Sequence, residues 1–261
     1  MIFPEVRKMA RMTFRSKIAV VLAGAFSVVT AAVSIDWSAI AAADTPRGRQ
    51  DRIIIAHGAD NLPSRTASDW VTYADHVVAV TATAEKETPP AQSELDLGEG
   101  LIGRAVTLRI DQVVWSRADA PKAAPSTWVR PSMGWQFTDG DINNRVKVAK
   151  ADSPRIQAGH SYTVAIVWEE DPCSPEGGQW RGLGAGSTVP YDNNRIGEGE
   201  LEGRERTAEQ ARQVLDEGGP NIGLKDEMAG KDTTHLASAL MAAEPDESRQ
   251  FAQEPAPDTC T

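Results

Sequence analysis

Between Gly103 and Trp115 the chain reads GRAVTLRIDQVVW, and no other stretch restricts its fold so tightly. Val106, Leu108 and Ile110 fall on one side, while Thr107, Arg109 and Asp111 fall on the other. Alternation with period two requires a half-buried strand, because successive side chains of an extended chain point to opposite faces. A strand needs neighbours, and the surrounding sequence supplies them. His76–Ala84 carries Val78, Val80 and Ala82 on one face and Val77, Ala79 and Thr81 on the other, so both faces are predicted to be covered. Ser161–Trp168 aligns Tyr162, Val164, Ile166 and Trp168. Trp128–Phe137, interrupted by Pro131 and Gly134, reads as an edge strand with a bulge. Arg145–Ala149 reads as a short strand after the turn residues Thr138–Asp141. Trp180–Leu183 or Ser187–Tyr191 supplies a last strand.

Helical signals are fewer and sit towards the ends. Ser68–Asp75 reads as a short helical turn capped by Ser68 or Asp69, with Trp70 and Tyr73 inward. Glu85–Gly100, acidic and holding Pro89-Pro90, reads as a loop. Thr207 and Gln210 fit a capping box that opens a helix to about Asp216, stopped by Gly218-Gly219-Pro220. Asp232 caps a second helix through Ala243. The expected organisation is a leader or anchor over 1–43, a linker over 44–67 and a β-domain over 68–198. A helical appendage over 199–243 and a polar tail over 244–261 complete it.

Arg7, Lys8, Arg11, Arg15 and Lys17 precede Ile18–Ile35, eighteen residues without a charge. Small residues then run from Ser38 to Ala43, the layout of an export signal cut after Ala43. As a helix the apolar run would measure about 27 Å, just short of a bilayer core of roughly 30 Å. A single-pass anchor over 18–35 is therefore the alternative, and either reading places the rest of the chain outside the cytoplasm. Of 27 Lys and Arg and 37 Asp and Glu, five and two fall in residues 1–43, which leaves the remainder near −13. Such a charge repels phosphate backbones and anionic head groups, so nucleic acid is excluded and membrane contact is confined to the N-terminal segment. In an oxidising compartment Cys173 and Cys260 can form one disulfide or stay two thiols.

Tyr73–Val78, Val106–Ile110 and Ala158–Val164 carry a strand rhythm that is similar to a family of exported actinobacterial proteins. The same rhythm resembles the OB-like barrel of netrin-like modules and of the tissue inhibitors of metalloproteinases. The resemblance covers roughly residues 70–191. It implies a mainly β fold, a small OB-like antiparallel β-barrel with a short C-terminal helical appendage. The inhibitors chelate zinc through an N-terminal cysteine, and here no cysteine precedes Cys173, so the resemblance carries no active residue.

No catalytic or metal motif stands out. His57, His76, His160 and His235 show no HxxxH or HxH spacing, and no neighbouring Cys or Glu completes a zinc set. Asp139–Asn144 begins like a calcium loop but places Asn144 and Lys150 where Gly and Glu belong, so turn chemistry accounts for it. Neither a metal nor a cofactor is expected. Six of the seven tryptophans lie between Trp70 and Trp180, several in irregular stretches. Trp135, Phe137, Asp139, Asp141, Arg145, Trp180 and Arg181 are accordingly the candidate binding residues. The reading is an exported, non-catalytic binding module of the cell envelope, its partner an envelope or extracellular protein or a glycan. The alternative is an envelope hydrolase sited in the Trp135–Arg145 and Trp180 region. Close approach of His57, His76 or His160 to a Ser or Asp in a cleft would favour the hydrolase.

Overall fold

The computed structural model describes residues 52–247 apart from 59, 61, 172 and 219–221. The expected leader or anchor, most of the tail, Cys260 and the Gly219-Pro220 stop lie outside the described residues. No helix among the described residues is long and apolar enough to cross a membrane.

Strand β3 (Gly100–Ser116) occupies the middle of an eight-stranded sheet, as its alternation requires: Val106 and Leu108 are fully buried and Arg109 and Asp111 face solvent. Its neighbours are β2 (His76–Thr88) and β4 (Thr127–Thr138), both antiparallel. On one side follow β5 (Asp141–Lys150) and then β1 (Ile53–Ala56), which joins β5 in parallel. On the other, β6 (Ser161–Glu170) pairs with β2, and β7 (Gly178–Gly182) and β8 (Thr188–Pro190) share the far edge of β6. The strand path runs β1-β5-β4-β3-β2-β6-β7, mainly β and mixed in direction.

This corrects the expected barrel. The path is open, and among the described residues no ladder joins β5 or β1 to β7 or β8. The reason lies in β1, which fills the edge of β5 that closure would need. Residues 53–56 are therefore a strand inside the presumed linker. Contacts across the sheet's concave side are made by side chains instead: Arg130 Nη1 of β4 donates to Thr188 Oγ1 of β8 at 3.0 Å. Pro131 lies along the part of β4 that has only β3 beside it, so its missing N–H costs nothing. Gly134 forms the predicted bulge, where an added Cβ would meet Ile102 O at 2.3 Å. The Glu85–Gly100 loop is shorter than expected, since β2 runs on to Thr88 and α2 spans Gln92–Leu97.

Both faces of β2 are covered in its first half. Val77 and Ala79 pack against Trp70 and Val71 of α1 (Ala67–Tyr73), Leu224 and Met228 at α4 (Leu224–Glu227), and Leu236 and Leu240 of α5 (Thr233–Ala242). Helices α4 and α5 thus share a core with the sheet. Val78, Val80 and Ala82 pack on the opposite side with Val106, Leu108, Trp128, Tyr162, Val164 and Ile166. The helix starts follow their caps: Thr66 with Asp69 opens α1, and Thr207 with Gln210 opens α3 (Ala208–Glu217). Asp232 holds the Thr234 and His235 amides at the start of α5. A hairpin of β9 (Gly199–Leu201) and β10 (Arg204–Arg206) lies between the sheet and α3 in sequence.

The second core is closed by charge. Arg104 of β3, its side chain fully buried, donates from Nε to Met133 O (2.8 Å), from Nη1 to Glu85 Oε2 (2.6 Å) and Ile156 O (2.9 Å), and from Nη2 to Arg155 O (2.5 Å). Glu200 of β9, also buried, accepts from the Arg155, Ile156 and Gly203 amides and from the Tyr162 hydroxyl. Burial and the Glu200 carboxylate push the Tyr162 phenol up, so it donates and does not ionise. Segment 153–156, between β5 and β6, is pegged down by these bonds.

Candidate functional site

The seven sequence-predicted residues form two groups. Trp135, Phe137, Asp139, Asp141 and Arg145 come together on the β4–β5 hairpin. Phe137, 1 % exposed, is core. The Trp135 ring is flanked by the Arg145 guanidinium at 4.4 Å and that of Arg155 at 4.9 Å, and Arg145 also grips Glu87 with both nitrogens (2.8 and 2.9 Å). Asp139 (φ 61°) accepts from Asn144 Nδ2, and Asp141 accepts from the Asn143 amide, which is turn chemistry. Trp180 and Arg181 sit on β7, at the other end of the strand path. Trp180 stacks edge-on against Trp168 (5.3 Å) and beside His76 (5.5 Å), while Arg181 pairs with Glu169. The aromatic rings are thus committed to local packing. Cys173 lies in the β6–β7 connection, and its expected partner lies outside the described residues.

A more open feature adjoins the end of β3. A groove of about 650 Å³ is walled by Thr72 of α1, Ser116 and Arg117, Leu240 and Met241 of α5, and Asp246. Met241 is 72 % exposed over it. The floor is fixed from below: buried Asp75 accepts from the Trp168 amide at 2.7 Å and pairs with Arg117. The Asp246 amide donates to Thr72 Oγ1 at 2.8 Å, which fastens the chain after α5 to α1.

Ser116 borders this groove, and its hydroxyl meets His76, which does not line it, on the opposite face of the sheet. The register of β2 with β3 sets the two residues opposite each other, and Ser116 Oγ lies 2.8 Å from His76 Nδ1. Nε2 lies 2.8 Å from the Lys122 carbonyl, which only accepts, so Nε2 carries a proton. In the neutral ring Nδ1 is then an acceptor for the serine hydroxyl. His76 is only 4 % exposed. Asp75 and His76 use different partners, as neighbours on a strand must. Nothing in the sequence spacing links residues 76 and 116; only the strand register does.

His160 has the other polar cluster. It follows the turn glycine Gly159 (φ 94°), and its Nδ1 lies 2.6 Å from Asp192 Oδ2. The other oxygen of Asp192 accepts from the Ser161 amide at 2.7 Å. Glu205 of β10 brings Oε1 to 3.3 Å from Nε2. One donor atom from each of the three residues lies within 4.8 Å of the others. Burial alone would push the His160 pKa down, but the bond to Asp192 and the charges of Asp192, Glu205 and Glu200 raise it above the ordinary value. Gly199 (φ 118°) lets the backbone pass this close, since a Cβ there would sit 2.6 Å from Asp192 Oδ2. A cavity of about 210 Å³ beside the cluster is lined by Asp192, Asn193, Glu198, Glu205, Arg206 and Gln210. Residues 160, 192 and 205 belong to three separate elements, so no motif announces them. Compared with protein-family models, curated proteins and solved structures, the chain matches none.

Proposed function

We propose that the protein is an exported, non-catalytic binding module of the cell envelope whose ligand lies in the groove between α1, the end of β3 and α5. The observation that carries this reading is exposed Met241 beside Leu240, over a groove of ligand size with Arg117, Asp119 and Asp246 on its polar rim. A wall of Val71, Trp115, Leu240, Ala243 and Pro245 with an adaptable methionine suits an apolar peptide segment. The partner is thus an envelope or extracellular protein engaged through a short apolar stretch. The leader over 1–43, cut after Ala43, brings the chain there. The OB-like reading persists in reduced form: β6 returns through residues 151–160 to lie beside β2, a Greek-key return around the β2–β5 meander.

The test is capture from envelope extract by residues 44–261, compared with Met241→Asp. Proteins retained by the parent and released by the variant are the expected result; equal retention removes the groove from the proposal. Mass measurement of the mature N-terminus separates cleavage after Ala43 from a retained anchor.

A hydrolase is the second reading, supported by the 2.8 Å contact of Ser116 with His76 beside Trp180. Its support lies there and not in the Trp135–Arg145 region, where Asp139 and Asp141 are engaged in turn hydrogen bonds. A serine-directed phosphonate probe decides it. Labelling at Ser116 that is lost in Ser116→Ala and His76→Gln replaces the binding reading with this one.

A further inference from the structure

We propose that His160 and Glu205, with Asp192 behind the imidazole, form a binding site for a borderline divalent cation of the Zn2+ class. Asp192 Oδ2 lies 2.6 Å from Nδ1 and can only accept, so Nδ1 bears hydrogen. In the neutral ring Nε2 then presents a lone pair, and that lone pair faces Glu205 Oε1 at 3.3 Å. Two acceptors at that distance repel each other unless something positive sits between or beside them.

The spacing fits a metal ion. Two ligands each about 2.05 Å from a tetrahedral ion stand about 3.3 Å apart, the edge of the tetrahedron. Asp192 takes the outer role that metal-ligating histidines need, because its second oxygen is held by the Ser161 amide and cannot swing away. The adjoining cavity of about 210 Å³ offers Glu198, Asn193 and Gln210 as further oxygen donors or as partners for bound water. Glu198 already accepts from Asn193 Nδ2 at 2.7 Å, and the nearby Arg206 is turned to the Gly197 carbonyl. Glu205 is 72 % exposed on a short hairpin and free to adjust. An imidazole nitrogen in the set favours Zn2+ over Mg2+ or Ca2+, which prefer oxygen alone. The inference is independent of the groove, which other residues line.

Untagged protein titrated with Zn2+ alone at pH 7.5, by calorimetry, tests the site. The expected result is one ion per chain, with no comparable heat from Mg2+ or Ca2+. His160→Gln and Glu205→Gln should each weaken binding at least tenfold, and Asp192→Asn about 10- to 100-fold. Co2+ in place of Zn2+ should give visible absorption that the Glu205→Gln variant loses. Glu205→Gln alters one exposed side chain, so unchanged circular dichroism and thermal unfolding without metal keep its result interpretable. Failure of the parent to bind Zn2+ below millimolar concentration overturns the proposal and leaves a proton bridging His160 and Glu205. Binding that survives both His160→Gln and Glu205→Gln places the ion elsewhere and overturns it equally.

Discussion

The two faces of β2 are covered in opposite ways. Val77 and Ala79 lie under α1, α4 and α5, in a cluster of tryptophan, leucine and methionine. Val78, Val80 and Ala82 face the concave side of the sheet, and there Arg104, Arg155, Glu85 and Glu200 close what an apolar lid closes on the first face. Helices can shield an apolar face because their backbone hydrogen bonds are internal. The concave side is closed by the irregular segment 153–156, whose amides and carbonyls have no ladder to join. The Arg155 and Ile156 amides and carbonyls find side-chain partners, and Ser153 O takes the Glu202 amide, since a buried backbone group without a partner costs as much as a lost hydrogen bond. The difference between the faces is a difference in who satisfies the covering backbone.

The largest expected effect tests that account directly. Glu200→Ala strips partners from the Arg155, Ile156 and Gly203 amides and from the Tyr162 hydroxyl at once. It should cost about 5 kcal/mol, near the top of the range for breaking a buried charged network. Leu240→Ala on the helix-covered face should cost about 3 kcal/mol, the transfer and cavity terms for one leucine. Urea unfolding of both variants measures the pair. If Glu200→Ala costs less than about 1 kcal/mol, the polar closure is dispensable and the contrast between the faces fails.

How much of this contrast the sequence disclosed follows from range. The alternation of β2, β3 and β6 is local, as are the boxes at Thr207 and the cap at Asp232, and the structure bears these out. The cap of α1 is Thr66, two residues before Ser68 and three before Asp69, the caps expected. The closed barrel fails because Ile53–Ala56, too short to read by periodicity, takes the edge of β5. Arg104 alternates as a core position yet bears a charge, and its partners Glu85, Met133, Arg155 and Ile156, from 19 to 52 residues away, explain it. The candidate sites show the same limit. Trp135 and Arg145 were found because they are near in sequence, whereas Ser116–His76 and His160–Asp192–Glu205 exist only through strand register and the β9–β10 hairpin.

Acid acts on the polar closure and leaves the helix-covered face alone. Burial alone would push the Glu85 carboxyl up, but the Ala158 amide and the Arg104 guanidinium outweigh it and hold the pKa below the ordinary value. A carboxyl depressed in the folded state contributes stability that is complete above its unfolded pKa. That contribution disappears as pH falls through the folded value. The parent should therefore lose more stability than Glu85→Gln between about pH 5 and pH 3. Leu240→Ala, which touches only the helix-covered face, should keep the parent's pH slope. Parallel slopes for the parent and Glu85→Gln would show that the charge on Glu85 does not help hold the polar closure.

The smallest effect belongs where the helix-covered face ends. Thr81 continues the face of Val77 and Ala79, yet its hydroxyl donates to Asp111 Oδ2 at 2.6 Å, and Arg109 Nε meets Asp111 Oδ1 at 2.6 Å. The Arg109 and Asp111 side chains are 60 % and 36 % exposed, so water screens the pair. Arg109→Ala should cost less than about 0.5 kcal/mol by urea unfolding, the usual worth of a solvated ion pair. A loss above about 1 kcal/mol would mean that charge supports both faces of the sheet. The apolar cover would then no longer set one face apart from the other.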